Sequence, residues 1–206
     1  ILMQTDEISW IAINMYGTTA LECDSLHAGR SFSVYKSYDL ETFDEPKVIF
    51  DGAKCDFYAD RDFWAAEVHK WDGRYYLFGS CKAEGKRRAT HIFVSDTPDG
   101  DFLPVSDKPI TPPEWECLDG TFYIDKNGDP YIVFCREWVQ VTDGEIHAMK
   151  LKKDLSAPDG DPILLFSASQ PEWADKSRET FVTDGPFIYR TECGKLCMIW
   201  SSSAKT

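Results

Sequence analysis

The feature that most constrains this chain is a strand–turn–strand pattern that recurs along it. The clearest copy is LDGTFYIDKNGDPYIVF, in which Phe122–Ile124 and Tyr131–Phe134 are β-forming runs separated by residues typical of a turn. Asp119 precedes the first run and stands beside Gly120. Because an isolated Asp-Gly pair most often marks a plain turn, the repetition of the pattern decides whether Asp119 has a further role.

Other segments repeat the same pattern. In the later segment FVTDGPFIYRTECGKLCMIW, Asp184 falls on the position of Asp119. In the earlier segment FWAAEVHKWDGRYYLF, Trp64 takes that position. Asp119, Asp184 and Trp64 are therefore predicted to be equivalent positions of a structural repeat.

Between these hairpins lies a second repeated element, a strand, a polar turn and another short strand. Each unit then holds four short strands in roughly fifty to sixty residues, which is typical of a propeller blade. The opening residues form a shortened copy, with a turn at 5–7 and a second strand from Ile11 to Tyr16. The sequence predicts an all-β propeller of four-stranded antiparallel blades, with the boundaries 1–50, 51–112 and 113–170 and the start of a fourth blade at 171–206.

The composition fits a single globular domain. The chain has 206 residues, of which 43% are hydrophobic and 14% aromatic, and it shows no long helical period; Pro171–Glu179 is at most a connecting turn. The net charge of −13 argues against nucleic acid or an anionic membrane as a partner. Carboxylates and tryptophans suit neutral sugars, although acidity is equally explained by solubility.

The cysteines do not predict a disulfide framework. There are seven of them, without a tight spacing pattern, and we expect most to be small buried residues in a reducing, cytoplasmic environment. The sequence contains neither an apolar run long enough to cross a bilayer nor a charged-then-apolar leader.

Two carboxylates at the same point of two blades should meet at one end of the central channel. Carboxyl groups that converge in a cleft with aromatic neighbours are what glycoside cleavage requires, because one protonates the leaving oxygen while another activates water or attacks carbon. Crowding moves their pKa values apart, so that one group stays protonated near neutral pH. The alternative is that Asp119 and Asp184 only cap backbone amides in turns.

Further residues are candidates for contacts with a substrate. Trp64 occupies the repeat position, and Glu67 follows it; His69 shares a strand face with Glu67 and is expected to bond a carboxylate. Glu137 and Trp138 lie in a loop at the same predicted end of the blades. A tryptophan that only fills the core and a structural histidine are the competing interpretations. No residues have the spacing of metal ligands.

The three hairpin segments together resemble glycoside hydrolase family 43, which comprises five-bladed β-propeller α-L-arabinofuranosidases and β-xylosidases. The resemblance runs from residue 1 to about residue 202. It implies hydrolysis with inversion by an aspartate base in blade one, an orienting and pKa-tuning aspartate in blade three and a glutamate acid in blade four. Asp119 matches the orienting and pKa-tuning aspartate of blade three. Asp184 falls where the family usually has glutamate, so its side chain is one methylene shorter; Glu67 and Glu179 are alternative acids.

The resemblance also carries expectations about the whole protein. By register the base would precede Ile1, and the pattern stops after about three of five blades, so we expect part of a longer protein that is inactive alone. The implied function is release of arabinofuranosyl or xylosyl units from plant cell-wall polysaccharide or its oligosaccharides. No cofactor is implied, except that some family members hold a metal ion, here a structural calcium. A non-catalytic carbohydrate-binding propeller and a protein-interaction scaffold are the alternatives.

Overall fold

The computed structural model describes residues 2–4, 10–14 and 30–203. The one helix among these residues is α1 (Trp138–Val141). The described strands in chain order are β1 (Leu2–Gln4), β2 (Trp10–Asn14), β3 (Ser31–Ser37), β4 (Lys47–Asp51), β5 (Arg61–Trp71), β6 (Arg74–Lys82), β7 (Ala89–Ser95), β8 (Leu103–Pro104), β9 (Cys117–Ile124), β10 (Pro130–Arg136), β11 (Glu145–Lys150), β12 (Ile163–Ser167), β13 (Asp184–Arg190) and β14 (Leu196–Ser201).

These strands form sheets in simple chain order. The first sheet contains β1 to β4, the second β5 to β8, the third β9 to β12 and the fourth β13 and β14, and every pairing is antiparallel. The predicted all-β fold with four-stranded antiparallel blades is confirmed. The turn expected at 5–7 lies outside the described residues, and Pro171–Glu179 contains turns without a helix.

The turn chemistry explains the central hairpin. Between β9 and β10, the Asp125 carboxylate accepts hydrogen bonds from the backbone N–H groups of Asn127 and Asp129, both at 2.8 Å. Gly128 then adopts a φ of +77°, which favours glycine, before Pro130 opens β10. Sequence alone therefore predicts where this hairpin reverses.

Aromatic and aliphatic side chains join each sheet to the next. Phe50 of the first sheet packs on Phe93 of the second, with ring centroids 4.4 Å apart. Phe78 of the second sheet lies 5.5 Å from Phe122 of the third. Strand β9 contacts both β5 and β13, the corresponding first strands of the neighbouring sheets. The beginnings of these three strands therefore come together, and this arrangement positions the candidate site.

A β-bulge lies near the start of each of these three strands. In the third sheet, the register shifts so that Asp119 and Gly120 together face Phe134, and Asp119 adopts a φ of +54°. The corresponding bulge in the fourth sheet begins at Gly185, with a φ of +55°, and one in the second sheet begins at Ala65, with a φ of +50°.

The bulges correct the predicted repeat by a single position. Asp119 is equivalent in the backbone to Gly185, whereas the sequence pattern placed it on the preceding residue, Asp184. Asp184 instead corresponds to Leu118 and, as expected, to Trp64, because each of these residues pairs with its neighbouring strand just before the bulge. The two aspartates thus come from adjacent positions of the repeat.

The cysteines divide into two groups. Cys81, Cys117 and Cys135 are buried, and burial raises the pKa of each thiol. The other described cysteines are at least partly exposed, and no described cysteine is in a disulfide; they are Cys55, Cys193 and Cys197. The prediction that most cysteines are buried thus holds for half of those described, and Cys23 lies outside the described residues. No helix in the described part of the chain is long and apolar enough to span a membrane.

Candidate functional site

The two predicted aspartates are neighbours at the beginning of the first strands. Oδ2 of Asp119 accepts a hydrogen bond of 2.8 Å from the backbone N–H of Gly185. Gly185 directly follows Asp184, so this bond ties the carboxylate of the third sheet to the backbone that carries the carboxylate of the fourth. The backbone N–H of Asp119 in turn donates to Oγ of Ser80, at 3.0 Å, in the second sheet.

Asp119 lies in surroundings that disfavour its charge. Burial is the main cause that raises the pKa of Asp119 to about 7, and the hydrogen bond from Gly185 opposes this increase. The negative charges of Asp184, Glu137 and Glu67 raise the pKa further. A carboxyl group with such a pKa exchanges a proton near neutral pH, which is the property that acid–base catalysis uses.

Asp184 is also a carboxyl group with a raised pKa. Burial raises it, and the positive charge of Arg88 opposes the rise. The negative charge of Asp184 is in turn one of the causes that raise the pKa of Asp119, so Asp119 keeps its proton at higher pH than an isolated aspartate does.

Arg88 is a central residue of the site that the sequence pattern did not single out as functional. Its Nη2 donates to Oδ2 of Asp62 at 2.8 Å, and its Nη1 donates to Oε1 of Glu137 at 2.5 Å. Its guanidinium carbon lies 3.9 Å from the centroid of the Trp64 ring. A single side chain therefore connects β5 of the second sheet with the residue that follows β10 in the third.

Glu116 holds the backbone of Arg88 in place. Its Oε2 accepts the Arg88 N–H at 2.7 Å, and its Oε1 lies 3.3 Å from both Lys82 Nζ and Arg87 Nη1. Burial alone would raise the pKa of Glu116, but these hydrogen bonds and charges outweigh it and the pKa is lowered. Glu116 therefore remains ionised and braces the loop between β6 and β7.

Glu67 and His69 form the hydrogen bond expected from their spacing. Oε2 of Glu67 is 2.8 Å from Nε2 of His69 and accepts a 2.7 Å hydrogen bond from Oγ1 of Thr121. Glu67 is buried, so its carboxylate joins β5 to β9 within the wall of the site. His69 also lines a cavity of about 300 Å³ between the later parts of β5, β9 and β13, with Tyr123 and Tyr189.

The remaining candidates are not brought into the same cluster. Trp138 belongs to α1 and is 38% exposed, and Glu179 is exposed. Among the described residues, neither makes a hydrogen bond, ion pair or ring contact with Asp119 or Asp184. By contrast, Glu137 is 5% exposed and pairs with Arg88.

The described residues contain no group of three or more histidine, cysteine, aspartate and glutamate side chains that could hold a metal ion. The structural calcium ion therefore stays a prediction from the resemblance.

Comparisons with known proteins agree on one family. The sequence profile described as Glycosyl hydrolases family 43 matches residues 10–206. An endo-arabinase from Bacteroides thetaiotaomicron is 43% identical, with a TM-score of 0.85, over 100% of this chain and 69% of the endo-arabinase. A thermostable family-43 glycoside hydrolase is 23% identical, with a TM-score of 0.83, over 98% of this chain and 62% of that one.

A native arabinanase from Bacillus subtilis is 18% identical, with a TM-score of 0.62, over 92% of this chain and 61% of that one. The structures that are 23% and 18% identical show that this chain shares their fold. A comparison with curated protein sequences found no match.

Proposed function

Because the chain belongs to glycosyl hydrolase family 43, we propose that the protein hydrolyses polysaccharides or oligosaccharides built from arabinofuranosyl or xylosyl units, with inversion at the anomeric carbon. Arabinan is the first substrate to test, since the relative with 43% identity is an endo-arabinase. The chain spans 69% of that relative and 62% of the thermostable hydrolase, so the activity proposed is that of the full-length protein.

One observation carries the proposal, the 2.8 Å hydrogen bond from the Gly185 N–H to the Asp119 carboxylate. It joins two carboxyl groups from different blades, each with a pKa above its ordinary value. In this proposal Asp184 is the general acid, with its pKa raised by burial, and Asp119 orients it through the hydrogen bond that it accepts from the Gly185 N–H. We assign no residue of this chain to the activation of water.

The chemical step follows from these roles. The protonated Asp184 donates its proton to the glycosidic oxygen as the bond to the anomeric carbon breaks. Water adds to that carbon from the opposite face and gives up one proton to a general base, a role to which no residue of this chain is assigned. Asp184 becomes a carboxylate, and the nearby positive charge of Arg88 favours that ionised form. The side chain is one methylene shorter than the glutamate usual in the family, so the leaving oxygen must come closer to the strand.

Sugar binding is assigned to the aromatic residues around the pair. Trp64 is partly exposed and has the Arg88 guanidinium against its ring. Exposed aromatic rings pack well on the C–H groups of sugar rings. Trp138 is also exposed and is proposed as a more distant contact. Glu67, His69 and Glu137 act in this proposal by shaping the wall of the site.

Substitution of the two aspartates tests the proposal. Wild-type full-length protein, Asp119→Asn and Asp184→Asn are assayed on arabinan and on nitrophenyl arabinofuranoside and xyloside. We expect each substitution to lower kcat by about 10²- to 10⁴-fold, the usual contribution of general acid–base catalysis, because Asp184→Asn removes the acid and Asp119→Asn disturbs its orientation. Asp129→Asn is the matched control, because Asp129 lies in the β9–β10 turn and pairs with Lys150 and Lys153.

The outcomes separate the alternatives. Full rates in both active-site variants would show that this pair is not the catalytic site. Oligosaccharide binding without hydrolysis by the wild type would favour a carbohydrate-binding propeller, for which the aspartate in place of glutamate is the motivating feature.

A further inference from the structure

The Arg88 side chain holds three groups at once. Two of its nitrogen atoms bond Asp62 and Glu137, and its planar face lies against Trp64. Its side chain is only 11% exposed, and its buried Nε has no hydrogen-bond partner among the described residues. A buried N–H without a hydrogen-bond partner costs free energy, which offsets part of the stability that the other contacts of Arg88 contribute.

Only an arginine side chain can make this set of contacts. A guanidinium is planar, offers donors on two edges and stacks on an aromatic ring, whereas the ammonium group of lysine is a compact point charge. Buried ion pairs are often no more stabilising than apolar residues of the same size. The stability of the fold therefore does not by itself account for a buried cation that lies between two carboxylates.

We propose that Arg88 is a positioning residue of the active site, which clamps Trp64 and Glu137 so that Trp64 presents its ring to a sugar beside Asp184. The inference rests on the proposed function and deepens it by naming the residue that orders the sugar-binding surface. The positive charge of Arg88 also lowers the pKa of Asp184, which is consistent with a position close to the acid.

Arg136 provides a matched control within the same chain. Its guanidinium carbon lies 4.1 Å from the centroid of the Trp115 ring, and it bonds Gln140 at 3.2 Å and Glu145 at 3.4 Å. It is thus another arginine that stacks on a tryptophan and pairs with a carboxylate, but its partners are not residues of the proposed site. Substitution of Arg136 therefore measures how much an arginine–tryptophan pair outside the proposed site contributes to stability and to activity.

The experiment compares Arg88→Met and Arg88→Lys with Arg136→Met and Arg136→Lys in the full-length protein. For Arg88→Met we expect KM for arabino-oligosaccharides to rise at least tenfold and the basic limb of the kcat/KM profile to move to higher pH. Arg88→Lys keeps the charge, so we expect it to restore the pH profile but not KM. Both Arg136 variants should keep both values within twofold.

A purely structural role would give a different result. If the Arg88 and Arg136 variants lose stability alike in denaturant and neither changes KM or the pH profile, the inference is wrong. The milder lysine variant keeps the test decisive if Arg88→Met does not fold.

Failure of the proposed function remains distinguishable. If the wild type hydrolyses none of the substrates, binding of arabino-oligosaccharides is measured by calorimetry. A tenfold weaker affinity of Arg88→Met, with unchanged binding by Arg136→Met, would support the positioning role without catalysis. Equal affinities, or absence of binding by the wild type, would overturn it.

Discussion

Asp119 shows how the fold acts on a single residue. An aspartate on a surface turn would be ionised at neutral pH, whereas here burial and three neighbouring carboxylates raise its pKa to about 7. The hydrogen bond from Gly185 favours the ionised form but is outweighed. Burial at this position therefore lowers the stability of the fold whenever the Asp119 carboxyl group is ionised. Active sites commonly contain such destabilising groups.

The raised pKa of Asp119 predicts how Asp119→Asn changes the stability of the fold. The pKa in the folded state is above that in the unfolded chain, so the folded protein holds a proton that the unfolded chain releases between about pH 4 and pH 7. The wild type therefore loses stability across this range as the pH rises, and the variant does not. We expect nearly equal free energies of unfolding at pH 4 and an advantage of up to about 4 kcal/mol for the variant at pH 8.

Denaturant unfolding at several pH values checks this result, with Asp129→Asn as the control of opposite sign. Lys150 and Lys153 lower the pKa of Asp129 through hydrogen bonds and charge. Its contribution to stability is present above the unfolded pKa and is lost as the pH falls through the lowered one, so Asp129→Asn is destabilised at neutral pH and approaches the wild type in acid. The same trend in Asp119→Asn would contradict the raised pKa.

The sequence predicted the carboxyl groups of the site better than its arginine. Asp119 and Asp184 were recognisable because each precedes a glycine and a β-forming run within a repeated pattern. Arg88 belongs to a loop with Lys86 and Arg87, and such a charged cluster is most often a solvated rim, although loops at one end of a propeller also bind ligands. Only the fold shows that Arg88 turns inward while Arg87 stays largely exposed.

At the scale of the strand, the bulge determines where Asp119 points. Asp119 and Gly120 face Phe134 together, and the left-handed backbone at Asp119 changes the direction of its side chain from that of a regular strand. Gly120 sits directly against Thr90 of the second sheet and Ile132 of β10. The absence of a side chain at Gly120 thus allows the bulge to pack between blades.

Gly120→Ala tests this role of the bulge. A Cβ atom at Gly120 would lie 2.7 Å from both Ile132 Cδ1 and Thr90 Cγ2, so these groups or the bulge must move. We expect a loss of about 1–3 kcal/mol in unfolding free energy, which is typical of overpacking. We also expect a decrease in kcat, because the displaced backbone carries Asp119. Thermal unfolding and arabinan hydrolysis measure the two effects.

Gly128→Ala separates crowding from backbone strain. Gly128 has a φ of +77°, but apart from Gly128 and its two chain neighbours no described residue has an atom within 4 Å of the position that a Cβ atom would take there. Only a conformational cost of about 1–2 kcal/mol is therefore expected, with kcat unchanged. If both alanine variants leave kcat intact, the bulge does not control Asp119.

The same bulge explains which part of the repeat could be predicted. Alternation and turn residues are visible in the sequence, so the hairpins were found with their turns. The offset of one position between the two blades was not visible in the sequence. The residue types align Asp119 with Asp184, because each is followed by glycine. The backbone instead aligns the left-handed residue that begins each bulge, which is Asp119 in one blade and Gly185 in the other. Residue identity and backbone geometry therefore indicate different registers.

At the scale of the whole molecule, each sheet is held mainly by its neighbours. In such an arrangement, stability is approximately the sum of terms within repeats and between adjacent repeats. Phe50 lies at the contact of the first and second sheets, where its ring packs on the rings of Phe57, Phe63 and Phe93. The carboxyl pair depends instead on the contact between the third and fourth sheets.

Phe50→Ala should therefore separate stability from chemistry. Removal of a ring that is 2% exposed is expected to cost about 3–5 kcal/mol, whereas Phe43→Ala, at a ring that is 46% exposed, should cost about 0.5 kcal/mol or less. Below its unfolding temperature, the Phe50 variant should keep a kcat within a few-fold of the wild type, because Asp119 and Asp184 lie two and three sheets from the first. A still-folded Phe50 variant could instead lose as much kcat as Asp184→Asn. That result would mean that the geometry of the site depends on packing between the first and second sheets.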